Sequence, residues 1–185
     1  MSTENQSVCA VVVAAGSSRR MGGENKLLLP LCGKPVLAHT LTAFQMCGAV
    51  RDIVLVCREQ DMEVYRTLAA ENGITKLRTL TRGGDTRTES VLAGVSAASE
   101  ACALVAVHDG ARPLVSDEVI TQAVAEAAKT GAAAPVVPVK DSIKRIENGK
   151  IAADVPRDTL AAVQTPQVFR RDMLLHALLD AAANG

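Results

Sequence analysis

Tryptophan is absent from this sequence, and only three aromatic side chains occur: Phe44, Tyr65 and Phe169. Val, Leu, Ile and Ala must therefore fill the interior. Net charge is missing as well. Twenty Lys+Arg balance twenty Asp+Glu, which excludes a general attraction to nucleic acid or to anionic membranes. Any anion site must be a local concentration of cations. No apolar run approaches the ~18 residues of a membrane span, and the polar start MSTENQS lacks the basic and then apolar pattern of a signal peptide. The five cysteines (Cys9, Cys32, Cys47, Cys57 and Cys102) are odd in number and include no CxxC pair, so neither a disulfide framework nor a zinc site is indicated. Cys9, Cys57 and Cys102 lie in or beside apolar runs. They are expected as small core hydrophobes in a reducing compartment, and the chain is read as cytoplasmic.

What is present is apolar patterning sufficient for one core. Hydrophobic residues make up 48% of 185 positions, which argues against disorder and suits a single domain over 1–185. Runs of strand length at 8–14, 53–57, 76–80, 103–107 and 133–139 alternate with helical patterns. The first helix starts from Pro35, with Val36, Leu37, Leu41 and Phe44 on one face. Met62, Tyr65 and Leu68 mark the second, and Val91, Leu92 and Val95 the third. The fourth is capped by Ser116, with Val119, Ile120, Ala123 and Val124 inward. The tail 173–183 puts Leu174, Ala177 and Leu178 on one side. The βαβα order implies an α/β fold of Rossmann-like kind, a mostly parallel twisted sheet with helices on both faces. After residue 139 the rhythm breaks. Asn148-Gly149 between two short strand-like segments predicts a β-hairpin. A hairpin over 141–156 has little to pack on by itself, so a partner subunit is expected to cover it.

In open α/β sheets ligands bind at the carboxyl ends of the strands. The first strand leaves through VVVAAGSSRRMGGENKL, residues 11–27. It is neither a P-loop nor GxGxxG. Ala14, Ala15 and Gly16 leave the backbone accessible to a phosphate or a base, and Arg19, Arg20 and Lys26 can surround a polyphosphate. An ordinary βα loop with solvated cations would carry the same residues. HDGARP, residues 108–113, supplies the opposite charge. Asp109 sits just past a buried strand, where a carboxylate can hold Mg²⁺ that bridges phosphate oxygens, or can simply cap a turn. Arg112 can bind a second anion. Cations in one loop and a carboxylate in the other suit phosphoryl or nucleotidyl transfer, which depends on positioning and charge stabilisation. His108 adjoins this region and is expected to be structural, since such transfer needs no histidine base.

Five motifs in order carry a resemblance. AAGSSRRMG…NK, GGDTRTESVLAG, VHDGARP, PVKDSIKRI and PRDTLAAVQTPQVF are together similar to the 2-C-methyl-D-erythritol 4-phosphate cytidylyltransferase family of sugar-phosphate nucleotidyltransferases. The match spans roughly residues 8–169. The resemblance implies transfer of CMP from CTP to methylerythritol phosphate in non-mevalonate isoprenoid synthesis, with pyrophosphate leaving. It implies that Ala14, Ala15 and Gly16 approach CTP through backbone, and that Arg20 and Lys26 stabilise charge on the α-phosphate. Gly84, Asp85 and Ser90 would read the cytosine, and Asp109 would hold Mg²⁺. Arg112, Ser142, Arg157 and Thr165 would hold the second substrate, and the hairpin arm would cross to a homodimer partner.

There are departures from the family pattern. Asn25 stands where the family usually has Pro, Gly16-Ser17-Ser18 replaces Gly-x-Gly, and Ser142 replaces a frequent Thr. Family members also continue for a few dozen residues with a further metal-binding aspartate and a substrate lysine. A chain ending at Gly185 is accordingly expected to bind CTP but to turn over slowly or not at all. The rival readings are a cytidylyltransferase for another polyol phosphate, such as ribitol 5-phosphate, and a nucleotide-binding module without catalysis.

Overall fold

The computed structural model of the protein describes residues 7–16 and 25–184. Strand β1 (Val8–Val13) lies inside a six-stranded sheet because its side chains are apolar on both faces. It pairs in parallel with β4 (Val50–Cys57) on one side and β6 (Leu104–Asp109) on the other, with Val11 opposite Val54 and Val107. β5 (Leu77–Arg82) adds in parallel outside β4. β12 (Gln167–Arg170) pairs antiparallel with β6, and β7 (Ala132–Ala133) closes that edge. Between β1 and the first helix, β2 (Pro30–Leu31) and β3 (Lys34–Pro35) form a small hairpin absent from the sequence reading. It turns on Cys32 and Gly33, both at positive φ.

Alternation along β1 divides the core. Ala10 and Val12 face a cluster completed by α1 (Val36–Met46), α2 (Met62–Glu71) and α4 (Asp117–Thr130) through Leu37, Leu41, Phe44, Tyr65, Leu68 and Ile120. Cys9 and Val11 face α3 (Arg87–Ala97) and α5 (Arg171–Asn184) through Val91, Val95, Leu174, Leu175 and Leu178. Helices therefore cover both faces, as the alternating pattern implies. Within α5 the packed stripe runs through Leu174, Leu175 and Leu178, while Ala177 is exposed. The larger leucine at 175 takes the place expected for the alanine. Pro35 is the residue before α1 rather than its first helical position.

The single strand expected over 133–139 is two. β7 stays in the main sheet, and β8 (Val136–Pro138) leaves it to pair with β11 (Ala161–Val163). Pro135 stands between them. It has no N–H to continue the ladder, and its carbonyl accepts from Gln164 N at 2.8 Å. Beyond this break, β9 (Ile143–Glu147) and β10 (Lys150–Val155) form the expected hairpin. Asn148 and Gly149 have φ of 50° and 75°, the pair of positive values a type I′ turn requires. Lys144 and Asp154 form an ion pair across it, and Ile146 and Ile151 point to solvent.

Cys9, Cys47, Cys57 and Cys102 are buried free thiols and Cys32 is exposed. Burial pushes the Cys9 thiol up to about 12, so it packs as a small neutral side chain. Among the described residues no helix is long and apolar enough to cross a membrane.

Candidate functional site

Three loops meet at the carboxyl ends of the parallel strands. They enclose a cleft of about 470 Å³ lined by Ala14, Ala15, Gly16, Lys26, Gly84, Asp85, Arg87, Ser90, Asp109 and Arg112, among others. Backbone bonds fasten the loops to the strands: Ala14 N to Val56 O at 2.7 Å, Gly83 N to Cys57 O at 2.9 Å, and Gly110 N to Val13 O at 2.8 Å. The first loop contributes small side chains, so the cleft floor there is largely backbone. Arg20 lies outside the described residues.

The second loop is built by its own helix. Thr86 caps α3, accepting from Glu89 N at 3.1 Å, while the Glu89 carboxylate accepts from Asp85 N at 2.6 Å and Thr86 N at 3.1 Å. This capping box bends Gly84 and Asp85 over the cleft. Ser90 is not a cap. It lies buried in the first turn of α3, where its hydroxyl donates to Gly84 O at 3.4 Å. A Cβ at Gly83 would fall 2.5 Å from the Cβ of Ala15 and 2.8 Å from Oγ of Ser90. Only glycine lets the first and second loops pack this closely.

The third loop carries the charge. Asp109 accepts from Arg112 Nε at 3.0 Å and from Arg87 Nη2 at 3.3 Å. The Arg87 and Arg112 side chains are 52% and 44% exposed, against 32% for Asp109. Solvent screens such pairs, so an incoming ion or phosphate can exchange them at small cost. Arg112 also donates to Gln164 Oε1 at 2.5 Å. Behind the loop His108 is fully buried, packed edge-on against Phe44 with ring centroids 4.9 Å apart. Its Nε2 donates to Arg112 O at 3.1 Å, and its Nδ1 meets Thr165 Oγ1 at 2.9 Å. Burial lowers its pKa. The expected structural role of His108 agrees with this geometry.

Of the residues expected to contact substrates, Ala14, Ala15, Gly16, Lys26, Gly84, Asp85, Ser90, Asp109 and Arg112 share the one cleft. Ser142, Arg157 and Thr165 are not part of its lining. Ser142 is exposed at the foot of the hairpin, Arg157 donates to Lys140 O at 2.8 Å, and Thr165 lies beneath the third loop on His108. Sequence reasoning missed Arg87, Glu89 and Gln164. The Thr-x-x-Glu spacing of a capping box signals Glu89. Nothing local signals Gln164, which acts across 52 residues. Among the described residues no group of three or more His, Cys, Asp or Glu side chains gathers as a metal site.

A mostly parallel sheet with helices on both faces, and a cation-rich cleft with a backbone floor at its strand ends, defines a nucleotide-handling α/β protein. The comparisons make this specific. Residues 8–185 match the model of the family IspD, 2-C-methyl-D-erythritol 4-phosphate cytidylyltransferase. The chain is 43% identical over 174 residues to the enzyme of that name from Dehalococcoides mccartyi, covering 94% of this chain and 76% of the relative. It is 44% identical over 176 residues to that from Bacillus licheniformis, covering 95% and 76%. Its fold is similar to the crystal structure of 4-diphosphocytidyl-2C-methyl-D-erythritol synthase from Anaerococcus prevotii, with TM-score 0.86 and 26% identity over 97% of this chain and 77% of that one. The Thermus thermophilus cytidylyltransferase gives 0.72 and 30%, over 95% and 77%. The chain belongs to the 2-C-methyl-D-erythritol 4-phosphate cytidylyltransferase family and is a nucleotidyltransferase.

Proposed function

We propose that this chain transfers the cytidylyl group of CTP to 2-C-methyl-D-erythritol 4-phosphate. An oxygen of the acceptor phosphate attacks the α-phosphorus of CTP, the bond to the β-phosphate breaks, and pyrophosphate leaves. The observation that carries the reading is the convergence of Lys26, Arg87 and Arg112 with Asp109 around one cleft whose floor is the Ala14–Gly16 backbone. Small side chains let the nucleotide touch backbone, and Lys26, with Arg20, stabilises charge that grows on the α-phosphate. Gly84, Asp85 and Ser90 present polar groups to the cytosine edge.

A family metal fits the residues present. Mg²⁺ takes one or two carboxylates and completes its shell with water and substrate phosphate, and Asp109 faces the cleft with exchangeable arginine partners. Mg²⁺ held there would neutralise phosphate charge. Arg112 would meet the acceptor phosphate, and Arg157 and Ser142 would act from the arm of a second copy. The solvent-facing Ile146 and Ile151 support such a dimer. The buried free thiols suit a reducing cytoplasm.

Pyrophosphate release with CTP, Mg²⁺ and a panel of polyol phosphates tests the assignment. Methylerythritol phosphate should give the highest kcat/KM. Preference for ribitol 5-phosphate would move the chain to another acceptor, and CTP binding without release on any acceptor would make it a binding module.

A further inference from the structure

Asn25 is tied down three times. Leu27 N–H points at its Oδ1 at 3.2 Å. An N–H can only donate, so that atom is the amide oxygen, and the other end of the amide is the NH₂ group. That NH₂ donates to the Tyr65 hydroxyl at 2.9 Å. The Asn25 backbone carbonyl accepts from Leu28 N at 2.9 Å. A side-chain turn and a backbone turn thus close over the same residue, Lys26. On its other side Leu27 is buried, and its carbonyl accepts from Leu37 N at 3.0 Å. Lys26 stands between two anchored neighbours with its side chain lining the cleft. The far anchor belongs to another element: Tyr65 is on α2, wholly buried, 40 positions along the chain.

We propose that Asn25 and Tyr65 are a positioning pair for the transfer reaction, holding the Lys26 backbone so that its ammonium meets the α-phosphate of CTP. The proposal rests on the role given to Lys26 in the reaction above. A flexible lysine stem can reach a phosphate from many backbone positions, but it stabilises a transition state well from few. The pair therefore acts on turnover more than on nucleotide affinity, which the backbone floor and the other cations also supply.

The test uses Tyr65→Phe, Asn25→Ala and the double variant of the full chain. At saturating CTP and acceptor, kcat should fall about tenfold in Tyr65→Phe and at least as far in Asn25→Ala, which also frees Leu27 N–H, with the KM for CTP changing less than about threefold; the double should match Asn25→Ala, because the link between the two residues is broken only once. Asn25→Asp keeps an acceptor for both Leu27 N–H and the tyrosine hydroxyl and should recover most of the rate. A wild-type kcat in either single variant, or losses that multiply in the double, overturns the proposal. Should Tyr65→Phe fail to fold, Asn25→Ala decides alone. Tyr65 is the one tyrosine and there is no tryptophan, so intrinsic emission reports on it directly. If the wild-type chain transfers no CMP, the proposed reaction falls and the pair is judged by that emission on CTP titration. A change that Asn25→Ala abolishes supports the pair; an equal change in both, or none, overturns it.

Discussion

Thr165 Oγ1 lies 2.9 Å from His108 Nδ1, with both side chains buried. The other ring nitrogen faces Arg112 O, a pure acceptor, so Nε2 carries the ring proton. Nδ1 is then the acceptor, and the Thr165 hydroxyl proton is committed to it. Thr165 thus has only oxygen lone pairs to offer a ligand. Through the ring it is tied to the loop that bears Arg112.

This arrangement sets a pH dependence. Burial pushes the His108 imidazole below its ordinary value of 6.5, outweighing the neighbouring Asp109. The folded chain then binds fewer protons than the unfolded one just below that pH. The contribution to stability is full above 6.5 and is lost as pH falls through the folded value. Urea midpoints measured from pH 8 downward should show the decline, and His108→Gln should flatten it. Thr165→Val leaves Nδ1 unpaired and should cost about 1–3 kcal/mol at pH 7.5, while Thr165→Ser should cost far less.

Asp109→Asn separates catalysis from folding. Its two arginine partners are about half exposed, so stability should change by less than about 1 kcal/mol. Turnover should fall by orders of magnitude and respond weakly to added Mg²⁺. A melting curve beside a Mg²⁺ titration of pyrophosphate release reads both. Near-normal turnover would remove Asp109 from the reaction.

Gly83→Ala drives a methyl group into Ala15 and Ser90, at 2.5 and 2.8 Å. The first two loops must part. CTP affinity measured by calorimetry should drop about tenfold or more, since a shift near 1 Å suffices for such losses. Unchanged affinity would show that the nucleotide does not span both loops.

The arm should require a second copy. Ile151→Lys places a charge on the solvent-facing side of the hairpin, where Ile151 is 69% exposed, so a single subunit should tolerate it. Sedimentation should nevertheless show it shifting a dimer towards monomer. Mixing Arg157→Ala chains with Lys26→Ala chains, each inactive alone, should restore turnover if Arg157 serves the neighbour's cleft. Monomeric wild-type protein at micromolar concentration would end this reading.

Much of this molecule follows from short windows of sequence. Apolar runs made β1, β4 and β6 buried strands, because only a strand covered on both faces tolerates such residues throughout. Ser116 and the Asn148-Gly149 pair marked a helix start and a hairpin turn through local backbone chemistry. Strand ends then located Lys26, Asp109 and Arg112, while Gly84 and Asp85 came from the family resemblance. Tertiary structure decided what those windows do not contain. β12 enters antiparallel beside β6, which brings Gln164 against Arg112 and Thr165 against His108. Arg87 meets Asp109, and Tyr65 holds Asn25. These are pairings between side chains 22 to 57 positions apart, set by strand order and helix packing. Periodicity reports which face a residue takes, whereas a hydrogen bond depends on which residue is brought opposite, and only the packed chain determines that.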